Sequence, residues 1–191
     1  AHRPRTSIEA LRGIAHWAGV HYDYYLNFVR DYMERRGDTL DIGCGAGQST
    51  AMLARYSDSA IGIDSDAAVI AFANKYNAEQ ATFISSSFQD QVYKSYDYIF
   101  CIETIEHVPY ERQDAFINVA LSMLRPGGLV FITTPREDTP SPPHIGVWSP
   151  TVINRLAKSL NNRIVRRGYF NNASPVGFSN MPSTHHAWVL R

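Results

Sequence analysis

The spacing of apolar residues changes character once along the chain. From residue 14 to 32, Ile14, Trp17, Tyr25, Phe28 and Tyr32, with His21 among them, recur every three or four positions. That period puts them on one face of a helix. Arg35-Arg36-Gly37 then supplies basic last-turn residues and a glycine stop. From Asp38 onward, short apolar runs alternate with helical periods. Strands are predicted at 39–43, 60–64, 81–85, 96–102 and 129–133, and helices at 48–56, 66–76 and 112–124. The turn Arg125-Pro126-Gly127-Gly128 separates the last helix from the fifth strand. Apolar strands alternating with helices imply a parallel sheet covered on both faces.

After the fifth strand the rhythm breaks. Residues 135–146 are too rich in proline for regular structure. Ser149-Pro150 reads as a helix start, with a serine N-cap and proline in the first turn, and the helix runs to about 160. Strands at 163–170 and 187–191 form a terminal hairpin, with the polar stretch 171–186 between them. The expected fold is α/β: a Rossmann-like seven-stranded sheet of five parallel strands plus a C-terminal antiparallel hairpin. Residues 1–36 are read as an N-terminal helical cap and 37–191 as the main domain. The stripe Trp17, His21, Tyr25 and Phe28 is expected to face the sheet's carboxyl edge, with residues 135–148 opposite.

With 191 residues, 45% hydrophobic and 19% charged, the chain is too apolar to be disordered and suits one domain with a small elaboration. No apolar run approaches the roughly 18–20 residues that span a bilayer, and the first residues lack the apolar stretch of a secretory signal. Two cysteines are too few for a disulfide framework, so a reduced, cytoplasmic protein is expected. A formal net charge of zero argues against a general nucleic-acid binder. The zero hides an asymmetry. Residues 37–140 carry six basic and fourteen acidic side chains, and residues 141–191 carry six basic and no acidic ones. Body and tail can attract each other across the fold, or the tail can present a basic wall to an anionic substrate.

The run Leu40-Asp41-Ile42-Gly43-Cys44-Gly45-Ala46-Gly47-Gln48-Ser49 holds the most informative motif, G-x-G-x-G between a strand and a helix. Glycine permits a tight turn and close approach of a ligand to the backbone, and the following helix start offers unpaired N–H groups. Asp64, followed by Ser65, ends the second strand, where a carboxylate can take both hydroxyls of a ribose. A nicotinamide fingerprint, G-x-G-x-x-G, does not fit, because position 48 is Gln.

On these residues the chain resembles the class I S-adenosylmethionine-dependent methyltransferases. Residues 40–47 match their first motif and Ile61-Gly62-Ile63-Asp64 their second. Ser87 and Phe88 fall in the adenine-contact loop, with Ser87 where most members carry an acid, and Leu124-Arg125-Pro126-Gly127-Gly128 matches the turn into strand five. The resemblance covers about residues 38–135. It implies S-adenosylmethionine as cofactor and S-adenosylhomocysteine as product. It implies a donor site of Asp41, Gly43, Cys44, Gly45, Gly47, Gln48, Ser49, Asp64, Ser65, Ser87, Phe88, Cys101 and Ile102. Asp41 would orient the loop or the donor's ammonium group. Cys44 and Cys101 are read as small buried residues.

Cys101-Ile102-Glu103-Thr104-Ile105-Glu106-His107-Val108-Pro109 ends strand four, where ligands lie in an open parallel sheet. The run is similar to that of methyltransferases acting on catechol-type ubiquinone precursors. A related E-x-x-E-H occurs in small-RNA 3′-terminal methyltransferases, where it binds a divalent metal with a later histidine. His107 and Glu106 are the candidate catalytic residues. His107 suits a general base, and the alternative is that the pair orients the site by hydrogen bonds. Glu103, Glu106, His107 and His144 form a possible ligand set, but no metal is assigned. His185-His186 are read as structural residues before the last strand, and Trp148 as a core residue or a plug on the substrate side.

The expected function is methyl transfer to a small-molecule oxygen nucleophile, with an anionic acceptor in keeping with the basic tail. Two alternatives stand beside it, an RNA 3′-end 2′-O-methyltransferase and a non-catalytic donor-binding protein. Oligomeric state is left open.

Overall fold

A computed structural model describes residues 26–91, 94–136, 144–170 and 185–191. A helix, α1 (residues 26–32), leads into β1 (Asp38–Ile42). There follow α2 (Gln48–Leu53), β2 (Ser59–Asp64), α3 (Ala67–Asn77), β3 (Thr82–Ser85), β4 (Tyr96–Ile102) and α4 (Tyr110–Ser122). The chain closes with β5 (Leu124–Pro135), α5 (Pro150–Ser159), β6 (Ile164–Phe170) and β7 (His185–Leu190). Asp66 caps α3 by accepting the Ala68 N–H at 2.9 Å, and Ser149 caps α5 through the Val152 N–H.

The seven strands run in the order β3-β2-β1-β4-β5-β7-β6. The first five pair in parallel, and β7 lies antiparallel between β5 and β6. The order reverses between β1 and β4, so the connections that leave their carboxyl ends run in opposite directions along the sheet and open a crevice. The expected five parallel strands and terminal hairpin are therefore present.

Both sheet faces are covered. On one, Leu40, Ile99, Cys101 and Ile132 pack under α4 and α5 with Trp148 and Trp188. Those two indoles meet edge-on, with ring centroids 4.9 Å apart, so Trp148 is core. On the other face, Phe28 of α1 stacks on Phe131 at 4.6 Å and touches Phe100, beside Met52 and Leu53 of α2. Phe28 thus sits on the sheet's face and not at the expected carboxyl edge, because its ring finds the apolar side chains of β4 and β5 there. Trp17, His21 and Tyr25, the rest of the expected stripe, lie outside the described residues.

Three local expectations change. β5 begins at Leu124, because Leu124 already pairs with Tyr96 and the ladder resumes at Tyr98 with Leu129. The turn expected at 125–128 is an irregularity inside the strand, with Gly127 at φ +82. β7 begins at His185, since His185 and His186 pair with both β5 and β6. The loop at 135–146 is described only in part.

At the amino edge of the sheet, buried Asp97 receives Arg35 at 2.5 Å, Arg125 at 2.7 Å and the Asp38 N–H at 2.9 Å. Burial alone would raise this carboxyl, but the Asp38 N–H, Arg35 and Arg125 together outweigh it and hold Asp97 below its ordinary range. A carboxylate held low stabilises the fold above its unfolded pKa, and that stability is lost as pH falls through the folded value. Asp97→Ala is expected to cost about 2–3 kcal/mol at neutral pH, in the range of lost hydrogen bonds to a charged group. The difference from wild type should shrink below about pH 4, which urea unfolding across pH would show.

Candidate active site

The crevice is built from the loops that leave β1, β2, β4 and β5. At the end of β1, Gly43, Gly45 and Gly47 all have positive φ, at 75°, 55° and 87°. The turn is tied to β2: the Gly43 and Cys44 N–H groups donate to the Ile63 carbonyl, and the Gly45 N–H donates to Asp64 Oδ2 at 3.2 Å. Asp64 Oδ1 takes the Asp66 N–H at 2.9 Å. One carboxylate therefore aligns the glycine turn and the start of α3, while its side chain stays partly open at the crevice.

Asp41 is fully buried and accepts from Thr50 Oγ1 at 2.7 Å. The contact pins α2 to β1. Gln48 Oε1 at the start of α2 is buried with no hydrogen-bond partner among the described residues, and Ser49 beside it is buried. Ser65 and Ser87 are exposed, and the Phe88 ring packs 4.5 Å from Phe116. Cys44 and Cys101 are buried free thiols. Burial pushes both thiols well above their ordinary range, and the nearby carboxylate of Asp41 adds to this, so neither is a thiolate nucleophile. Ile102 closes β4 among Tyr98, Phe100 and Phe131.

Three threonines outside the expected site, Thr104, Thr133 and Thr134, hold the turn after β4. Thr104 Oγ1 lies 3.0 Å from the Ile42 carbonyl and 3.1 Å from the Ile102 carbonyl, so its single proton is shared between the ends of β1 and β4. Glu103 is the one non-glycine residue among those described with positive φ, at 52°. Its Oε1 accepts from Thr133 Oγ1 at 2.7 Å, and its Oε2 lies 3.2 Å from His185 Nε2. Glu106, 1% exposed, accepts from Thr134 Oγ1 at 3.3 Å. Glu103 and Glu106 thus meet the neighbouring threonines of β5, whose side chains point to opposite faces of the strand.

His144 joins this turn from the far side of β5. The Ile145 and Gly146 N–H groups donate to the Glu106 carbonyl at 2.9 and 2.8 Å. The Gln113 side-chain amide donates to the Gly146 carbonyl at 2.6 Å and lies 3.2 Å from the Ile105 and Val108 carbonyls. As a result the rings of His107 and His144 stand 5.1 Å apart, edge to face. One ligand atom from each of Glu106, His107 and His144 lies within 4.8 Å of the others. The structure therefore brings together three of the four possible metal ligands and engages Glu103 elsewhere. A carboxylate with two imidazoles suits a first-row divalent metal or zinc. Without an ion, it suits a hydrogen-bonding station for a hydroxyl.

A family described as "Methyltransferase domain" matches residues 14–176. The chain belongs to this family. The methyltransferase domain is 29% identical over 116 residues to a ubiquinone biosynthesis O-methyltransferase of Pseudomonas fluorescens (strain SBW25), covering 57% of this chain and 49% of that protein. The chain spans about half the length of this curated relative. Among solved structures, a DhpI–SAH complex superposes with TM-score 0.70 at 18% identity, covering 98% of this chain and 91% of the other. The magnesium protoporphyrin IX methyltransferase of Synechocystis PCC 6803 with bound SAM gives 0.65 at 17% identity, covering 96% and 84%. At such identities these two report the fold of the methyltransferase domain. No helix among its described residues is long and apolar enough to cross a membrane.

Proposed function

We propose that this domain transfers a methyl group from S-adenosylmethionine to an oxygen nucleophile on a small-molecule acceptor, releasing S-adenosylhomocysteine. One juxtaposition carries the reading. The glycine turn closed on Asp64 lies at the same strand edge as Glu106, His107 and His144, so a donor station adjoins a proton-handling one. The buried acceptor Gln48 Oε1 supports a ligand there, because an orphaned polar atom at the mouth of the turn is satisfied when a donor group arrives. The likeness to ubiquinone O-methyltransferases supports oxygen as the target, and the ligands of the structural neighbours support the donor.

The bound donor supplies the activation through its sulfonium. The chain's own residues bind and align. Asp64 takes the ribose hydroxyls, and Gly43, Cys44, Gly45, Gly47, Gln48 and Ser49 line the donor's amino-acid end. Ser65, Ser87 and Phe88 border the ribose and adenine, and Cys101 and Ile102 form the apolar floor. His107 takes the acceptor's proton as the methyl arrives, and buried Glu106 orients it. The proposed cap that excludes water from the acceptor falls to residues 1–25, outside those described, because α1 covers a sheet face and Arg35 reaches Asp97 at the amino edge. The buried free thiols suit a cytoplasmic setting.

A second reading rests on the convergence of Glu106, His107 and His144. A divalent cation held by these three would act as a Lewis acid on the acceptor oxygen. An RNA 3′ end is the alternative acceptor that this set keeps open.

Calorimetry with S-adenosylhomocysteine is the first test. Asp64→Ala should weaken binding about 10- to 150-fold, the loss of hydrogen bonds to a charged group. Absence of binding to wild type, or a preference for a nicotinamide dinucleotide, would overturn the donor assignment. Labelled donor offered with catechols, phenols and a short RNA, with chelator or with added Mg²⁺, then separates the acceptor and metal readings.

A further inference from the structure

A cavity of about 340 Å³ lies between α5 and the terminal hairpin, lined by Ile153, Arg167, Gly168, Tyr169, His186 and Trp188. None of these residues belongs to the donor turn or to the Glu106–His107–His144 cluster. The volume falls at the lower end of the roughly 300–1,000 Å³ of small-molecule sites, enough for one or two fused rings. Half of the lining residues, Tyr169, His186 and Trp188, are aromatic. Trp188 and His186 are buried, and the His186 and Tyr169 rings lie 5.4 Å apart. Flat walls of this kind favour a flat ligand.

The charge at this cavity has one sign. Burial pushes the His186 imidazole down to about 4, with Arg136 and His185 adding to it, so this ring is neutral near pH 7. The positive charge comes from guanidinium groups. Arg167 is exposed, and among the described residues it has no hydrogen bond or ion pair. The Arg136 guanidinium stands 5.8 Å from the centre of the Tyr169 ring. Residues 141–191, which include Arg167 with α5, β6 and β7, contain no acidic side chain.

The cavity also has a fixed place relative to the methyl-transfer edge. Thr134 pairs with His186, and His186 pairs with Tyr169. Side chains opposite one another in a ladder share a sheet face. Thr134 is the residue that donates to Glu106. Two strand spacings, roughly 10 Å, therefore separate the Glu106 contact on β5 from Tyr169 on β6.

We propose that this cavity holds the non-reacting end of the acceptor, a planar ring bearing an oxyanion such as a carboxylate. Arg167 takes the oxyanion in a charge-assisted hydrogen bond, and Tyr169 and Trp188 flank the ring. Calling the ligand an acceptor rests on the methyl-transfer reading. Its binding does not, and the experiment keeps the two apart.

The test is calorimetry on the full chain saturated with S-adenosylhomocysteine, using 2-naphthoate and its neutral counterpart 2-naphthamide. Naphthoate should bind, Arg167→Gln should weaken it about 10- to 100-fold, and naphthamide should bind wild type correspondingly weakly. Ile153→Trp, at a half-buried position on the cavity wall, should abolish binding by filling the space while leaving S-adenosylhomocysteine affinity unchanged. Naphthoate binding that Arg167→Gln leaves unchanged would overturn the proposal, as would equal affinity for the amide or no binding at millimolar naphthoate. Failure of the methyl-transfer reading shows separately, as absent S-adenosylhomocysteine binding, and the naphthoate titration without it still decides the anion site.

Discussion

His107→Ala is expected to lower kcat by about 10²–10⁴-fold while donor affinity stays as in wild type. The size follows from the role of a general base, which acts on the acceptor's proton only as the transition state forms. The selectivity follows from position. His107 ends the short 3₁₀ turn Ile105–His107, and its backbone N–H is bound to the Thr104 carbonyl at 3.1 Å. The donor turn is held from the other side, by Asp64 and the Ile63 carbonyl. Single-turnover kinetics with labelled donor and calorimetry with S-adenosylhomocysteine measure the two quantities separately. A matching loss of donor affinity would mean that the ring is structural. His144→Ala divides the two chemical readings. With His107 as base, its loss is mild. With a shared cation, it approaches the loss in His107→Ala, and chelator reproduces the effect in wild type.

Gly47→Val is expected to destabilise the domain by about 2–5 kcal/mol and to abolish measurable donor binding. A Cβ at position 47 would stand 2.6 Å from Phe83 Cε1 and 2.9 Å from Ala73 Cβ, and the backbone there is at φ +87. Left-handed backbone costs roughly 1–2 kcal/mol for a residue with a side chain, and forced overpacking adds about 1–3 kcal/mol. Relief requires moving α3 or β3 and with them the turn proposed to receive the donor. Gly127→Ala is the control. Gly127 has a similar φ, +82, but nothing lies within 4 Å of its added Cβ. That variant should lose only the backbone strain, about 1–2 kcal/mol, and keep its donor affinity. Urea unfolding and S-adenosylhomocysteine calorimetry on both variants would check this. Equal losses would show that packing around Gly47 is not the cause.

The strands, the glycine turn and the helix starts at Asp66 and Ser149 were legible in the sequence because each depends on residues within a few positions. Periodicity, positive φ and side-chain capping are local, and they carry the proposed donor half of the site with them. The family resemblance through the strand-four run placed Glu106 and His107 at the edge for the same reason.

Tertiary structure decided the other half. His144 is set beside His107 by backbone bonds from Ile145 and Gly146 to Glu106 and by the Gln113 amide, contacts that span more than thirty residues and leave no periodic trace. His185 and His186 look alike in the sequence. Because they are consecutive in a strand, His185 turns toward Glu103 and His186 toward the Tyr169 and Trp148 rings on the opposite face. β5 runs on through Pro126 and Gly127 because β4 offers Leu124 a partner before the turn, so sheet pairing overrides the local turn preference. The basic tail was visible as composition. That Arg167 stands at the mouth of an aromatic cavity follows only from β6 pairing with β7 beneath α5, since register alone decides which face each arginine takes.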